Sequence, residues 1–176
     1  MNTKIEGNSV NIQKRICIVG LGGGGFHGEA EQAMMKVSSD AELILIYSGP
    51  DGGILRWLTP HTIKAAYKIH SPLLIGESKV RLLYRLPANF LAALKIISLH
   101  KVDIVIGVGT IQILPFALAA RILGCQAWFY ESITRVNAPS MTGKLINKLK
   151  VTNRTYYYWH NLKEHFPYGK CLQEEK

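Results

Sequence analysis

The sequence predicts an α/β domain with a Rossmann-like parallel sheet and helices on both faces. Two observations carry that prediction. Apolar runs recur as RICIVG (15–20), ELILIYSG (42–49) and DIVIGVG (103–109), unbroken rather than alternating with polar residues. Strands buried on both faces read this way. Segments of helical length separate the runs, as parallel strands joined by crossovers require. A chain of 176 residues suits one such domain.

Taken in order, residues 1–13 are polar and read as an N-terminal extension to a single domain spanning 14–170. The polar start also argues against a signal peptide. The first strand is followed by a helix over 27–39 and the second strand by turn chemistry, GPDGG, at 49–53. Residues 54–70 are expected to hold a helix and a short strand. Residues 79–101 read as mostly helical, with Pro87 opening or kinking the main helix. After the strand at 103–109, IQILPFALAARILG (111–124) is a helix stopped by Gly124. QAWFYES (126–132) is a strand, PSMTGKLINKLK a helix starting near Pro139, and RTYYYW (154–159) a strand. Residues 171–176 are a polar tail.

Charge narrows the partners. The chain carries 21 basic and 12 acidic residues, a net charge of +9 that suits an anionic partner. Nucleic acid is set aside, because the basic residues are dispersed and no recognised binding motif is present. Three cysteines lack metal-like spacing; Cys17 and Cys125 read as small core residues in a reduced, cytoplasmic setting. No apolar stretch approaches the roughly 20 residues that cross a bilayer; the longest, 111–123, contains Pro115 and Arg121. Any membrane attachment is therefore expected to come from a surface. Within 79–101, Arg81 and Arg85 accompany Phe90, Leu91 and Leu94 in a basic amphipathic segment, which either lies in a bilayer interface or packs on the core with a solvated basic edge.

The chemistry concentrates in three loops expected beyond the C-terminal ends of the strands, where open sheets of this class bind ligands. The first, GLGGGGFHGE, runs from Gly20 to Glu29. Gly20-x-Gly22-x-x-Gly25 matches the dinucleotide fingerprint. That motif also asks for an acidic residue at the end of the second strand. This strand ends Ile46-Tyr47-Ser48, and Glu42 lies at its start. A Walker loop fails as well, since no Lys-Ser or Lys-Thr follows. What remains is anion binding by the amides of Gly22, Gly23, Gly24 and Gly25 and by the helix N-terminus, or a tight turn with no ligand. His27, at the loop's mouth, is a general base, a phosphate contact or a capping residue. The second loop is Gly107–Thr110 and the third Glu131–Thr142.

Read together, these segments resemble one family in order and spacing. They are the glycine loop with His27, DIVIGVGT, Glu131-Ser132-x-x-Arg135, Thr142-Gly143-Lys144, and Trp159…Leu162-Lys163…Phe166-Pro167. The family is the small subunit of the two-part N-acetylglucosaminyltransferase of dolichol-linked oligosaccharide synthesis, with PssD- and CpsF-like bacterial relatives in polysaccharide biosynthesis. The resemblance spans roughly residues 14 to 170. It implies a GT-B N-terminal half, similar to that of MurG, and a heteromeric, membrane-associated glycosyltransferase. This chain would bind the acceptor, a sugar on a polyprenyl pyrophosphate, and recruit a catalytic UDP-sugar-binding subunit to the cytoplasmic face of the membrane. It would be inactive alone and need no cofactor; no metal is called for, because the sequence has no clustered carboxylate motif of the kind that holds divalent ions. By the same resemblance, Gly22 to Gly25 lie beside the acceptor pyrophosphate, and Gly107, Gly109 and Thr110 line the cleft. Ser132 and Arg135 lie near the acceptor, and His27 and Glu131 are rival bases. The alternative of another class is a stand-alone Rossmann-type nucleotide-binding protein, such as a small NAD(P)-dependent oxidoreductase.

Overall fold

Seven parallel strands form one sheet in the computed structural model, which describes residues 14–21, 33, 40–48, 62–72 and 80–175. They are β1 (Arg15–Leu21), β2 (Glu42–Tyr47), β3 (Thr62–Lys68), β4 (Ile104–Val108), β5 (Gln126–Tyr130), β6 (Arg154–Tyr157) and β7 (Lys170–Cys171). The order is β3-β2-β1-β4-β5-β6-β7. The chain therefore builds outward from β1 to one edge, then returns to the centre and builds to the other.

Successive residues of each strand point to opposite faces, and both faces are covered. On one, Cys17, Val19, Ile44, Ile46, Val105, Ala127 and Phe129 pack under α1 (Val80–His100) and α2 (Ile113–Ile122), with Ile146 of α3 (Met141–Leu149). On the other, Ile16, Ile18, Leu43, Leu45, Ile106 and Tyr130 pack with Ala33, a helical and fully buried residue. The doubly covered parallel sheet expected from unbroken apolar runs is the one that forms.

The helices end where their residues dictate. α2 tolerates Pro115 because a first-turn N–H has no intrahelical partner. Gly124, at φ +74° with open space around its Cα, follows its C-terminus. α1 ends at Lys101, which takes a left-handed φ of 49° while Val102 N–H donates back to Ile97 O at 3.0 Å. α3 begins at Ser140, whose Oγ accepts from Gly143 N–H at 2.9 Å, and ends at left-handed Lys150.

Several expectations need correction. Residues 62–68 form a full edge strand of alternating exposure, and 54–61 lie outside the described residues. α1 starts well before Pro87, which sits inside the helix with its ring exposed, so it does not open the helix. At 21 residues α1 is also long and apolar enough, by length and composition, to cross a membrane, the one such helix among the described residues. Its inner face nevertheless packs on the sheet. Cys171, assigned to the polar tail, is buried and pairs with Tyr157 in the sheet.

Candidate functional site

Because every strand is parallel, all seven C-terminal ends lie on one edge. The order reverses between β1 and β4, which pair in register from Ile16↔Ile104 to Val19↔Gly107. A crevice opens at such a reversal. Its two rims fit closely. Gly20 has φ +102°, and a Cβ there would lie 2.2 Å from Thr110 Cγ2, so only glycine lets the first loop leave beside Thr110. Gly22 to Gly25 and His27 themselves fall outside the described residues.

The second loop divides by role. Gly107 is buried inside β4, where a Cβ would strike the Ile113 side chain, so close packing of α2 accounts for it. Gly109, at φ +54°, donates its N–H to Tyr130 O at 2.9 Å. Gly109 and Thr110 are half-buried at the edge. Gln112, fully buried at the start of α2, donates Nε2 to Ile69 O at 2.8 Å. Its Oε1 has no partner among the described residues. Arg85 and Asn89 of α1 donate to the neighbouring Ser71 and His70 carbonyls. Three side chains thus hold Ile69–Ser71, the exit of β3. Gln112 escaped the sequence reading, although a lone amide at the head of the apolar run 111–123 was its signal.

The third loop is tightly built. Glu131 follows β5, is only 3% exposed, and uses both carboxylate oxygens. Oε1 accepts from Ser132 N–H at 2.8 Å; Oε2 accepts from Ser140 N–H and Ser140 Oγ, each at 3.0 Å. Ser140 Oγ in turn caps α3 through Gly143 N–H. A Cβ at Gly143 would lie 2.1 Å from Glu131 Oε2, so this glycine makes room for the carboxylate. Within the loop, Ser132 Oγ and Thr134 Oγ1 are 2.9 Å apart, and Arg135 N–H donates to Ser132 O. Trp159 Nε1 donates to Ile133 O. Ser132 is buried, whereas the Arg135 side chain is exposed. These bonds brace the loop, with the Arg135 side chain on its outer side.

Beneath the loop, Tyr130 stacks on Tyr156 with centroids 4.5 Å apart. Burial pushes its phenol well above the usual range, helped by Tyr156 and opposed by Arg154. The acidic residue that dinucleotide binding needs is missing from the end of β2, where Tyr47 and Ser48 stand. Glu42 sits at the opposite edge, where Lys64 (2.6 Å) and Arg15 (3.4 Å) hold its carboxyl below the usual range.

The residues expected at a membrane surface separate onto two faces of α1. Phe90 and Leu94 are half-buried against the core, and Arg85 is tied to Ser71. Arg81 and Leu91 are exposed, Leu91 at 65%, along with Val80, Tyr84 and Leu99.

No protein-family model and no curated protein sequence matches the chain. Solved structures do match its fold. MurG from Acinetobacter baumannii aligns over 84% of this chain and 42% of its own, with TM-score 0.61 and 21% identity. UDP-GlcNAc 2-epimerase from Methanocaldococcus jannaschii aligns over 92% and 45%, with TM-score 0.60 and 14% identity. The lipopolysaccharide outer core galactosyltransferase WaaB aligns over 87% and 42%, with TM-score 0.57 and 15% identity. The chain therefore spans less than half the length of each. The seven-stranded parallel sheet with its helices matches the Rossmann-like half of the GT-B fold.

Proposed function

We propose that this chain is the acceptor-binding, membrane-recruiting half of a UDP-sugar-dependent glycosyltransferase acting on a polyprenyl-pyrophosphate-linked sugar. One observation carries the reading: the fold matches the Rossmann-like half of the GT-B fold, with the glycine-loop exit, Thr110 and the braced 131–140 loop on a single sheet edge. Such an edge is one wall of a two-domain cleft. The split into two chains, the donor-binding partner and the lipid acceptor come from the family resemblance.

In this reading the amides of Gly22 to Gly25 and the following helix N-terminus hold the pyrophosphate. Arg135 offers a charge-assisted grip on phosphate. His27 takes the proton from the attacking hydroxyl, because a base needs a free acceptor within reach. Glu131 has both oxygens committed to Ser132 and Ser140 and acts as a positioning residue for the loop. The partner binds the UDP-sugar and stabilises departing UDP. The chain sits peripherally on the cytoplasmic face of the membrane, docked by the exposed stripe of α1: Val80, Arg81, Tyr84 and Leu91.

The test is sugar transfer to a polyprenyl-pyrophosphate-linked acceptor in vesicles, with the purified chain alone and with a UDP-sugar-binding chain co-purified from native membranes. Transfer only with both chains is the expected result. Full-rate transfer by the single chain overturns the two-chain reading, and saturable NADH binding by fluorescence titration replaces it with the nucleotide-binding alternative.

A further inference from the structure

We propose that His160, Cys171 and Glu174 form a binding site for a thiophilic divalent cation, with Zn²⁺ the best match. The inference stands apart from the transfer reaction. His160 opens a 3₁₀ turn (His160–His165), Cys171 ends β7, and Glu174 lies in the next 3₁₀ turn (Leu172–Glu175). The three-residue period of that turn returns Glu174 to the side of Cys171. One donor atom from each residue, a ring nitrogen, Sγ and a carboxylate oxygen, lies within 4.8 Å of the other two. It is the one such cluster of three among the described residues.

The chemistry of the donors selects the ion. Thiolate with imidazole and carboxylate suits zinc, while Mg²⁺ and Ca²⁺ take oxygen donors. Around tetrahedral Zn²⁺, at about 2.3 Å to sulfur and about 2.0–2.2 Å to nitrogen and oxygen, the donors stand about 3.3–3.8 Å apart. Closing from 4.8 Å needs about 1 Å of movement at that geometry. His160 and Glu174 can supply it: their side chains are 63% and 51% exposed, and Nδ1 and Oε1 already meet at 3.0 Å. Cys171 is held by the strand and stays fixed. It is buried, yet it lines an open cleft of about 320 Å³ together with Tyr157, Lys163, Phe166 and Glu174, which gives the ion a route in. Three protein ligands leave the fourth position to water.

On binding, the Cys171 thiol, which donates to Tyr158 O at 3.4 Å, gives its proton to solvent and bonds the metal as thiolate. Two lysines, Lys163 and Lys170, line the same cleft; Lys163 Nζ lies 3.8 Å from Glu174, and its side chain is 62% exposed and turns to water. The sequence calls for no metal, since its cysteines lack metal-like spacing and it has no clustered carboxylate motif; these ligands come together where β7 pairs with β6.

The experiment uses the tag-free full chain, reduced and metal-stripped. Zn²⁺ is titrated against a chromophoric chelator, and Co²⁺ is titrated with absorption recorded in the near ultraviolet. One equivalent of Zn²⁺ and a thiolate-to-cobalt charge-transfer band are expected. The band is lost in Cys171→Ser and kept in Cys125→Ser. His160→Ala, a change at an exposed side chain that leaves folding intact, weakens Zn²⁺ affinity at least about tenfold. Absence of stoichiometric binding, a band that survives Cys171→Ser, or unchanged affinity in His160→Ala overturns the proposal.

Discussion

Glu131 illustrates how the role of a side chain depends on what surrounds it. A glutamate followed by serine, at the end of an apolar strand and facing a ligand edge, has the chemistry of a base. Folding places three donors on its two oxygens and the first turn of α3 against it. Glu131→Gln keeps the shape but sets an amide NH2 against a backbone N–H, of Ser132 or Ser140, that can only donate. Leaving buried donors unpaired costs about 1–3 kcal/mol each. The urea midpoint of this variant is expected to fall by the equivalent of about 2–3 kcal/mol, whereas a catalytic base with no bracing role would leave it unchanged. Gly143→Ala should destabilise through the same contact, since its methyl and Glu131 Oε2 compete for one space. The sequence singled out Glu131 as a rival base. It could not show that Ser140, nine residues away, occupies one of its oxygens while Gly143 leaves room for it.

At the scale of elements, α1 separates packing from display. Ala93, Ile96 and Ile97 are buried and Phe90 and Leu94 half-buried, while Val80, Tyr84, Leu91 and Leu99 face outward. Phe90→Ala should lower stability by about 2 kcal/mol or more in urea unfolding. Tyr84→Glu and Leu91→Glu should leave stability within about 0.5 kcal/mol and sharply reduce co-sedimentation with anionic vesicles. Equal losses of stability in both sets would mean that the outward face packs on something in the folded chain. The sequence located this helix and its basic, apolar character. Which leucines and phenylalanines faced inward was not legible, because a segment apolar nearly all round has no contrast from which to read a face.

For the whole molecule, strand order and burial together set the response to pH. Burial in the sheet pushes the Cys17 thiol and the Tyr130 and Tyr157 phenols up. The unfolded chain starts to release these protons near the ordinary values of 9.0 and 10.0, while the folded chain keeps them. The unfolded state then binds fewer protons, so stability, complete below about pH 9, falls as pH rises. The urea midpoint should drop between about pH 8 and about pH 10.5, and Cys17→Ala should remove the part of that slope which begins first. A flat profile would mean that the thiol stays accessible in the fold. The parallel sheet was legible from unbroken apolar runs. Edge strand β3 was legible only as a short strand somewhere within 54–70, because it alternates with lysines, and β7 was not legible, because it is two residues long.

The central position of β1 has a consequence for synthesis on the ribosome. Its neighbour β4 is paired across 88 residues, with Arg15 N–H bonded to the Asp103 carboxylate at 2.8 Å. A nascent chain can add β2 to one side of β1 early, but the other side stays open until β4 has emerged. During that interval Ile16, Cys17, Ile18 and Val19 offer an unpaired apolar edge to whatever is near. Pauses in translation before β4, or a shortage of the chaperones that shield such edges, should therefore reduce the yield of this protein more than equal delays after β5.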